Sequence, residues 1–147
     1  IRKGDSFDSY LRLARISIRK KQYETAADYL EQVPDSLRNE VYWMEYAHLY
    51  ENWNKGDLAQ NCILEAIKKK ENYILGWVAL AGVYRRKKKL KEALYAVEQA
   101  LKINEDDESA KLEQARILKD QGNQKDYQFS IKELIKKWIH RYRHDSI

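Results

Sequence analysis

The sequence is poor in residues that break or bend a chain. It has one proline, Pro34, and five glycines in 147 residues. Strands joined by tight turns need more of both, so a mainly helical chain is predicted. The single cysteine, Cys62, excludes an internal disulfide. That suits a reducing compartment, and a helical periplasmic protein is equally compatible, so no localisation follows. No apolar run approaches the roughly 18 residues that a membrane-spanning helix needs, and no leader is read at the start. The chain opens at Ile1 and not at methionine, which reads as a fragment or processed form. No glycine-rich phosphate loop and no Ser/His/Asp set in a recognisable context occurs. Neither enzymatic activity nor a cofactor is therefore expected.

What the chain does have is charge, aromatics and a repeat. Charged residues make up 35% and apolar residues 44%, a balance that supports a folded, soluble chain. The net charge of +5 permits acidic partners without requiring nucleic acid. The string Trp43, Tyr46, Ala47, Tyr50, Ala59, Ile63, Ala66, Ile67 recurs as Trp77, Leu80, Ala81, Tyr84, Ala93, Val97, Ala100, Leu101. Each pair is 34 residues apart. A fixed period of this length predicts stacked supersecondary units, none of which can bury its apolar face alone.

Within the period the apolar spacing is helical. Trp77, Leu80, Ala81 and Tyr84 share one face, and Ala93, Val97, Ala100 and Leu101 share another. Each period therefore predicts two antiparallel helices joined by a polar turn. The alanines mark where the paired helices cross, because larger side chains would push the axes beyond about 8–10 Å. Asp57 is expected to cap the second helix of its pair, with Gln60 completing a capping box. Backwards, the pattern continues through Tyr10, Leu13, Ala14, Tyr23, Ala26, Leu30 and Val33. Forwards, Leu112, Ala115 and Leu118 lie on a helix ended by Gly122. Tyr127 falls on the crossing place of Ala93, so a turn three residues longer is expected there, pairing Tyr127 with Tyr23 and Ser130 with Ala26.

These residues resemble the tetratricopeptide repeat family, whose helix pairs carry Trp, Leu, Gly/Ala, Tyr, Ala and Ala in the order seen from Trp77 to Ala100. The resemblance implies an all-α fold, a right-handed superhelix of antiparallel helix pairs. About four pairs are expected in one domain over 6–143, bounded 6–35, 36–71, 72–105 and 106–143, the last with a divergent capping helix. It also implies that first helices line a concave groove. One branch of the family clamps chaperone C-terminal carboxylates with Lys and Asn. The matching places hold Leu11 and Arg15, so that role is not expected.

Other signals have bland explanations. Trp43, Tyr50, Trp77 and Tyr84 read as core and not as a base-stacking platform. His140 and His144 could share a helix face, but two nitrogens do not make a zinc site, so no metal is expected. Lys68–Lys70 oppose a helix dipole. The clusters at Arg19–Lys21 and Arg85–Lys89 read as a solvated rim, because Asn54–Asp57 and Asp120–Asn123 interrupt that edge. The stripe Ile131, Leu134, Ile135, Trp138, Ile139, Tyr142 reads as a helix covering the last repeat, with Trp138 and Tyr142 partly bare. No membrane insertion is expected.

Function in such a fold lies on residues that packing does not use. One stripe lies beside the core stripe of each first helix. Its apolar members are Leu11, Val41, Met44, Leu75, Val78 and Leu112. Arg15, Arg19, Arg85, Arg86, Arg116 and Lys119 follow within two turns, and His48 joins them. An apolar row beside a basic row suits a peptide or helix with an apolar face and acidic residues. The expected role is a protein-binding scaffold or adaptor. The alternatives are a repeat segment of a larger anchored or multidomain protein, and a nucleic-acid-binding module.

Overall fold

The computed structural model describes residues 3–145, with side chains described from Ser6 to Arg143. The described residues form eight α-helices and no strand: α1 Lys3–Arg19, α2 Tyr23–Glu31, α3 Glu40–Asn52, α4 Gly56–Lys69, α5 Ile74–Arg86, α6 Leu90–Ile103, α7 Glu108–Asp120 and α8 Gln124–Asp145. A short 3-10 turn, Asp35–Leu37, follows Pro34. The chain divides into two compact units, Ile1–Gly76 and Trp77–Ile147, with the boundary inside α5.

Four first helices end alike. In each, one residue adopts left-handed backbone: Lys21 (φ 61°), Asn54 (φ 60°), Lys88 (φ 63°) and Gly122 (φ 79°). The hydrogen bonds are those of a Schellman cap. For α7, Asn123 N–H reaches Leu118 O at 3.0 Å and Gly122 N–H reaches Lys119 O at 3.0 Å. The same pair recurs at Gln22 and Lys21, at Lys55 and Asn54, and at Lys89 and Lys88. The reversal needs a left-handed residue, which glycine adopts without the Cβ cost that lysine bears.

This common turn corrects two expectations. α4 begins at Gly56, with Lys55 at the N-cap and no side-chain cap bond from it. Asp57 lies inside the first turn, where a carboxylate complements the helix dipole. The expected longer turn before α8 is also absent. Gly122 closes it at the same length as the others, so Tyr127 takes the crossing place that Ala59 and Ala93 occupy. Tyr127 stays half-buried, with Lys119 Nζ 5.6 Å from its ring centre. Side-chain caps come instead from Asn39, accepting from Tyr42 N–H at 3.1 Å, Asp107, accepting from Ala110 N–H at 2.9 Å, and Asn123, accepting from Asp126 N–H at 3.2 Å.

In the first unit α1 packs on α2, α3 on α4, and α3 also rests on α1 and α2. Ala14, Ala26, Ala47 and Ala59 are buried at the crossings. Beside them runs an aromatic stack: Trp43 on Tyr46 at 6.2 Å, Tyr46 on Tyr50 at 5.1 Å, Tyr50 on Trp53 at 6.3 Å, and Trp53 on Tyr23 at 5.8 Å. Tyr42 meets Trp43 edge to face and donates from its hydroxyl to Leu30 O at 3.2 Å. In the second unit α6 packs on α7 and α7 on α8, while Trp77 of α5 meets Tyr95 of α6 edge to face at 6.3 Å. Ala81, Ala93, Ala100, Ala110 and Ala115 are fully buried there.

Candidate functional site

The first-helix stripe can be followed within each unit. In the first, Leu11 is 3% exposed. It belongs to the core, where α1 packs on α2 and α3, and so offers no exposed apolar surface to a binding row. Arg15 is exposed, and its Nε donates to Glu45 Oε1 at 2.8 Å. That bond, outweighing partial burial, raises the guanidinium pKa above its ordinary value. Arg19 stands exposed at the end of α1. Val41 and Leu75 are exposed and Met44 is half-buried. His48 is exposed, and its backbone carbonyl accepts from Asn52 Nδ2 at 2.8 Å.

In the second unit Val78 is half-buried and Leu112 exposed. The arginines there do not all face solvent. Arg85 Nε donates to Glu113 Oε1 at 2.6 Å, and Arg116 donates to the other oxygen of the same carboxylate at 3.3 Å. Arg85 also lies 3.5 Å from Asp120. The hydrogen bond to Glu113 raises the Arg85 pKa. Arg86 and Lys119 are exposed.

Three of the arginines that the sequence singles out, Arg15, Arg85 and Arg116, thus converge on two acids that it does not. Glu45 and Glu113 lie on first helices, two periods apart. Each closes on an arginine of the preceding first helix in its own unit, Arg15 on α1 and Arg85 on α5. A Cβ at Gly82 would stand 3.3 Å from the far end of Arg86 and in ordinary contact with Glu113 at 3.9 Å. The common position in the period was the available signal.

A second surface lies between α7 and α8. Leu112 faces Ile131, Leu134, Ile135 and Trp138 across a cleft of about 330 Å³, with Glu108 at its edge. Trp138 is 63% exposed and Tyr142 75%. Lys137 pairs with Asp106 at 3.2 Å, and Arg141 pairs with Glu108. Among the described residues, no three His, Cys, Asp or Glu side chains are grouped to hold a metal, and no helix is long and apolar enough to cross a membrane. The side chain of His144 lies outside the described residues.

Comparison with known proteins bears on the fold. A tetratricopeptide repeat family profile matches residues 7–33 and 76–107. No curated protein matches the sequence. The Arabidopsis OM64 TPR domain superposes with a TM-score of 0.68 at 14% identity, over 80% of this chain and 98% of that one. A tetratricopeptide repeat protein from Parabacteroides merdae reaches 0.78 at 17% identity, over 88% of this chain and 51% of that one. The first TPR of Spaghetti (RPAP3), solved with the HSP90 peptide SRMEEVD, reaches 0.69 at 17% identity, over 83% of this chain and 97% of that one. At such identities the likeness shows the fold, an all-α helical repeat solenoid.

Proposed function

Because this chain carries tetratricopeptide repeats, we propose that it is a protein-interaction scaffold that takes a partner peptide or helix along its first helices. One observation carries the reading. Val41, Met44 and Leu75 in one unit, and Val78 and Leu112 in the other, stay exposed or half-exposed on helices whose remaining apolar residues are largely buried. Covering such side chains gains roughly 25 cal/mol per Å² of apolar surface. Arg19, Arg116 and Lys119 give an acidic partner long-range attraction, which acts on association rate more than on affinity. Arg15 and Arg85 are committed to Glu45 and Glu113, so a ligand reaches them only by competing with those acids.

The peptide seen on the RPAP3 domain does not carry over directly. The places that match a carboxylate clamp hold Leu11, which is buried, and Arg15, which Glu45 holds. A partner with an apolar face and scattered acids fits this chain better than a bare C-terminal carboxylate.

The test begins with a partner recovered by pull-down and confirmed with purified components. Met44→Ser and Val78→Ser should raise its dissociation rate, and Arg19→Glu with Lys119→Glu should slow its capture. Wild-type kinetics in all of these variants, with binding lost only when second-helix surfaces are altered, would sink the first-helix reading. A steep loss of affinity with salt, as phosphate binding shows, would point to nucleic acid instead.

A further inference from the structure

The α7–α8 cleft is a vacant seat for one more first helix, and we propose that a helix of another polypeptide occupies it. That helix carries an apolar ridge and a glutamate set to meet Arg116. The proposal rests on the same scaffold reading, shares Leu112 and Arg116 with the first-helix row and adds the α8 stripe to them, and it depends on four observations.

The first is the repeated seating rule. In the first unit, α3 lies on α1 and α2, and the equivalents of the α8 cleft residues are buried there. Leu30, Ile63 and Val97 are each fully buried, whereas Ile131, at the same place in the period, is half-exposed. Ile67 is buried at the place where Ile135 is exposed. α8 therefore shows the apolar side that a following first helix covers elsewhere.

The second is a repeated ion pair. Arg15 on α1 holds Glu45 on the next first helix, and Arg85 on α5 holds Glu113 on the next. Arg116 and Lys119 stand on α7 at the places of Arg15 and Arg85. The rule therefore supplies the cations for a third pair, on the α7 face that carries Leu112, and the acid is still to come. Among the described residues Arg116 pairs with Glu113 of its own helix at 3.3 Å, and its side chain is half-exposed.

The third observation is the length of α8, which carries the apolar face past the seat. The chain leaves α4 at Lys69 and starts α5 at Ile74; it leaves α6 at Ile103 and starts α7 at Glu108. α8 is still helical through the equivalent span and runs to Asp145. It passes the seat without turning back over it. The overhang then presents Trp138, Ile139 and Tyr142 as a continuation of the same apolar face.

The fourth separates a foreign helix from a second copy. The bare ridge of α1, Leu13 and Ile16, has a suitable apolar character. They are 38% and 37% exposed, whereas Leu49 and Ile117, equivalent to Ile16, are fully buried. But α1 carries Arg12 at the place of Glu45 and Glu113, and a second copy would set Arg12 against Arg116. Like charges there oppose docking. On α8 itself, Lys132 and Lys136 flank the stripe away from α7 and favour acids on the incoming helix as well.

The probe is a helix-stapled peptide with the sequence of residues 40–52, which has an acidic flank, an apolar ridge and the glutamate of position 45. Added to the full 147-residue protein and followed by anisotropy of a label on the peptide, it should bind saturably. Arg116→Glu should weaken it at least tenfold, and a peptide with Arg in place of that glutamate should recover binding to the Arg116→Glu protein. Leu112→Asp and, independently, Ile135→Asp should abolish binding; both sites are exposed, and circular dichroism checks that the variants fold. Met44→Ser should leave peptide binding unchanged, so failure of this seat is distinguishable from failure of the first-helix row. Three outcomes would overturn the proposal. One is no binding to the wild type, or binding indifferent to Arg116 and Ile135. Another is concentration-dependent self-association in sedimentation that Leu13→Glu abolishes, which would make the occupant a second copy. The last is capture by phosphatidylserine vesicles without peptide binding, which would make α8 a membrane-surface helix.

Discussion

Glu113 receives Arg85 on one carboxylate oxygen and Arg116 on the other, and its side chain is only 5% exposed. A carboxylate this enclosed is tolerable because two guanidiniums replace the water it loses. Glu113→Ala should cost about 1.5–3 kcal/mol, the range for hydrogen bonds to charged groups. Glu45→Ala should cost less, because half-exposed Arg15 regains water. Urea titrations of both variants measure the difference. Equal losses would mean that burial does not set the strength of these pairs.

The left-handed caps give a second expectation. Lys21 and Lys88 hold φ near +60°, where a Cβ costs about 1–2 kcal/mol. Replacing either by glycine removes that cost and adds unfolded-chain entropy of about 0.5–1 kcal/mol. A net gain of up to about 1 kcal/mol is expected from Lys21→Gly or Lys88→Gly, and a similar loss from Gly122→Ala. Thermal melts test the sign. A lower melting temperature for both lysine variants would show that their side chains contribute more than the backbone conformation costs.

Two glycines inside α5 should respond oppositely to alanine. At Gly76 a Cβ would stand 2.9 Å from Ile67 Cγ1, within the packed first unit. At Gly82 its nearest neighbour is the mobile end of Arg86, at 3.3 Å. Alanine in a helix gains about 1 kcal/mol over glycine, while overpacking costs about 1–3 kcal/mol. Gly82→Ala should therefore stabilise and Gly76→Ala destabilise. Gly76→Ala combined with Ile67→Ala should lose less than the two single changes added together. Strict additivity in that cycle would remove the contact as the cause.

High pH should loosen the first unit. Burial pushes the Tyr42 hydroxyl from its ordinary value near 10 up to about 12, and the Cys62 thiol from near 9 up to about 12. The folded state then holds protons that the unfolded chain releases, so stability falls as pH rises. It should be fully present below about pH 9 and decline from there towards pH 12. Tyr42→Phe should flatten part of that decline, as read from denaturant midpoints. Cys62 should also resist iodoacetamide at pH 8, reacting on the order of a hundredfold more slowly than in urea, since the thiolate is the nucleophile. Prompt labelling of the native protein would contradict its burial.

Much of the repeat pattern was legible because packing repeats. The alanines at the crossings and the step from Trp77 to Tyr84 are set by helical periodicity, and the structure buries the alanines where the pattern puts them. The stripe from Ile131 to Tyr142 was legible too, including the bareness of Trp138 and Tyr142. Turn geometry was not. Tyr127 looked too large for an alanine's place, yet the cap at Gly122 fixes the turn regardless of the side chain that follows it. Exposure along the first-helix row was legible only in part: Leu11 shares its spacing with Met44 and Val78, yet it is buried.

The sequence by itself determined the helices, their 34-residue period and the apolar faces, because these follow from local spacing and from residue size. Tertiary structure decided which charges are paired between helices and which remain exposed. Arg15 and Arg116 occupy equivalent places in the period. Arg15 has Arg12 one turn before it and finds its acid, Glu45, only on the next first helix, whereas Arg116 has Glu113 one turn before it on its own helix, and no described helix follows over its cleft. A pair between helices forms only where a neighbouring helix brings the acid within reach, and spacing along one helix does not set that.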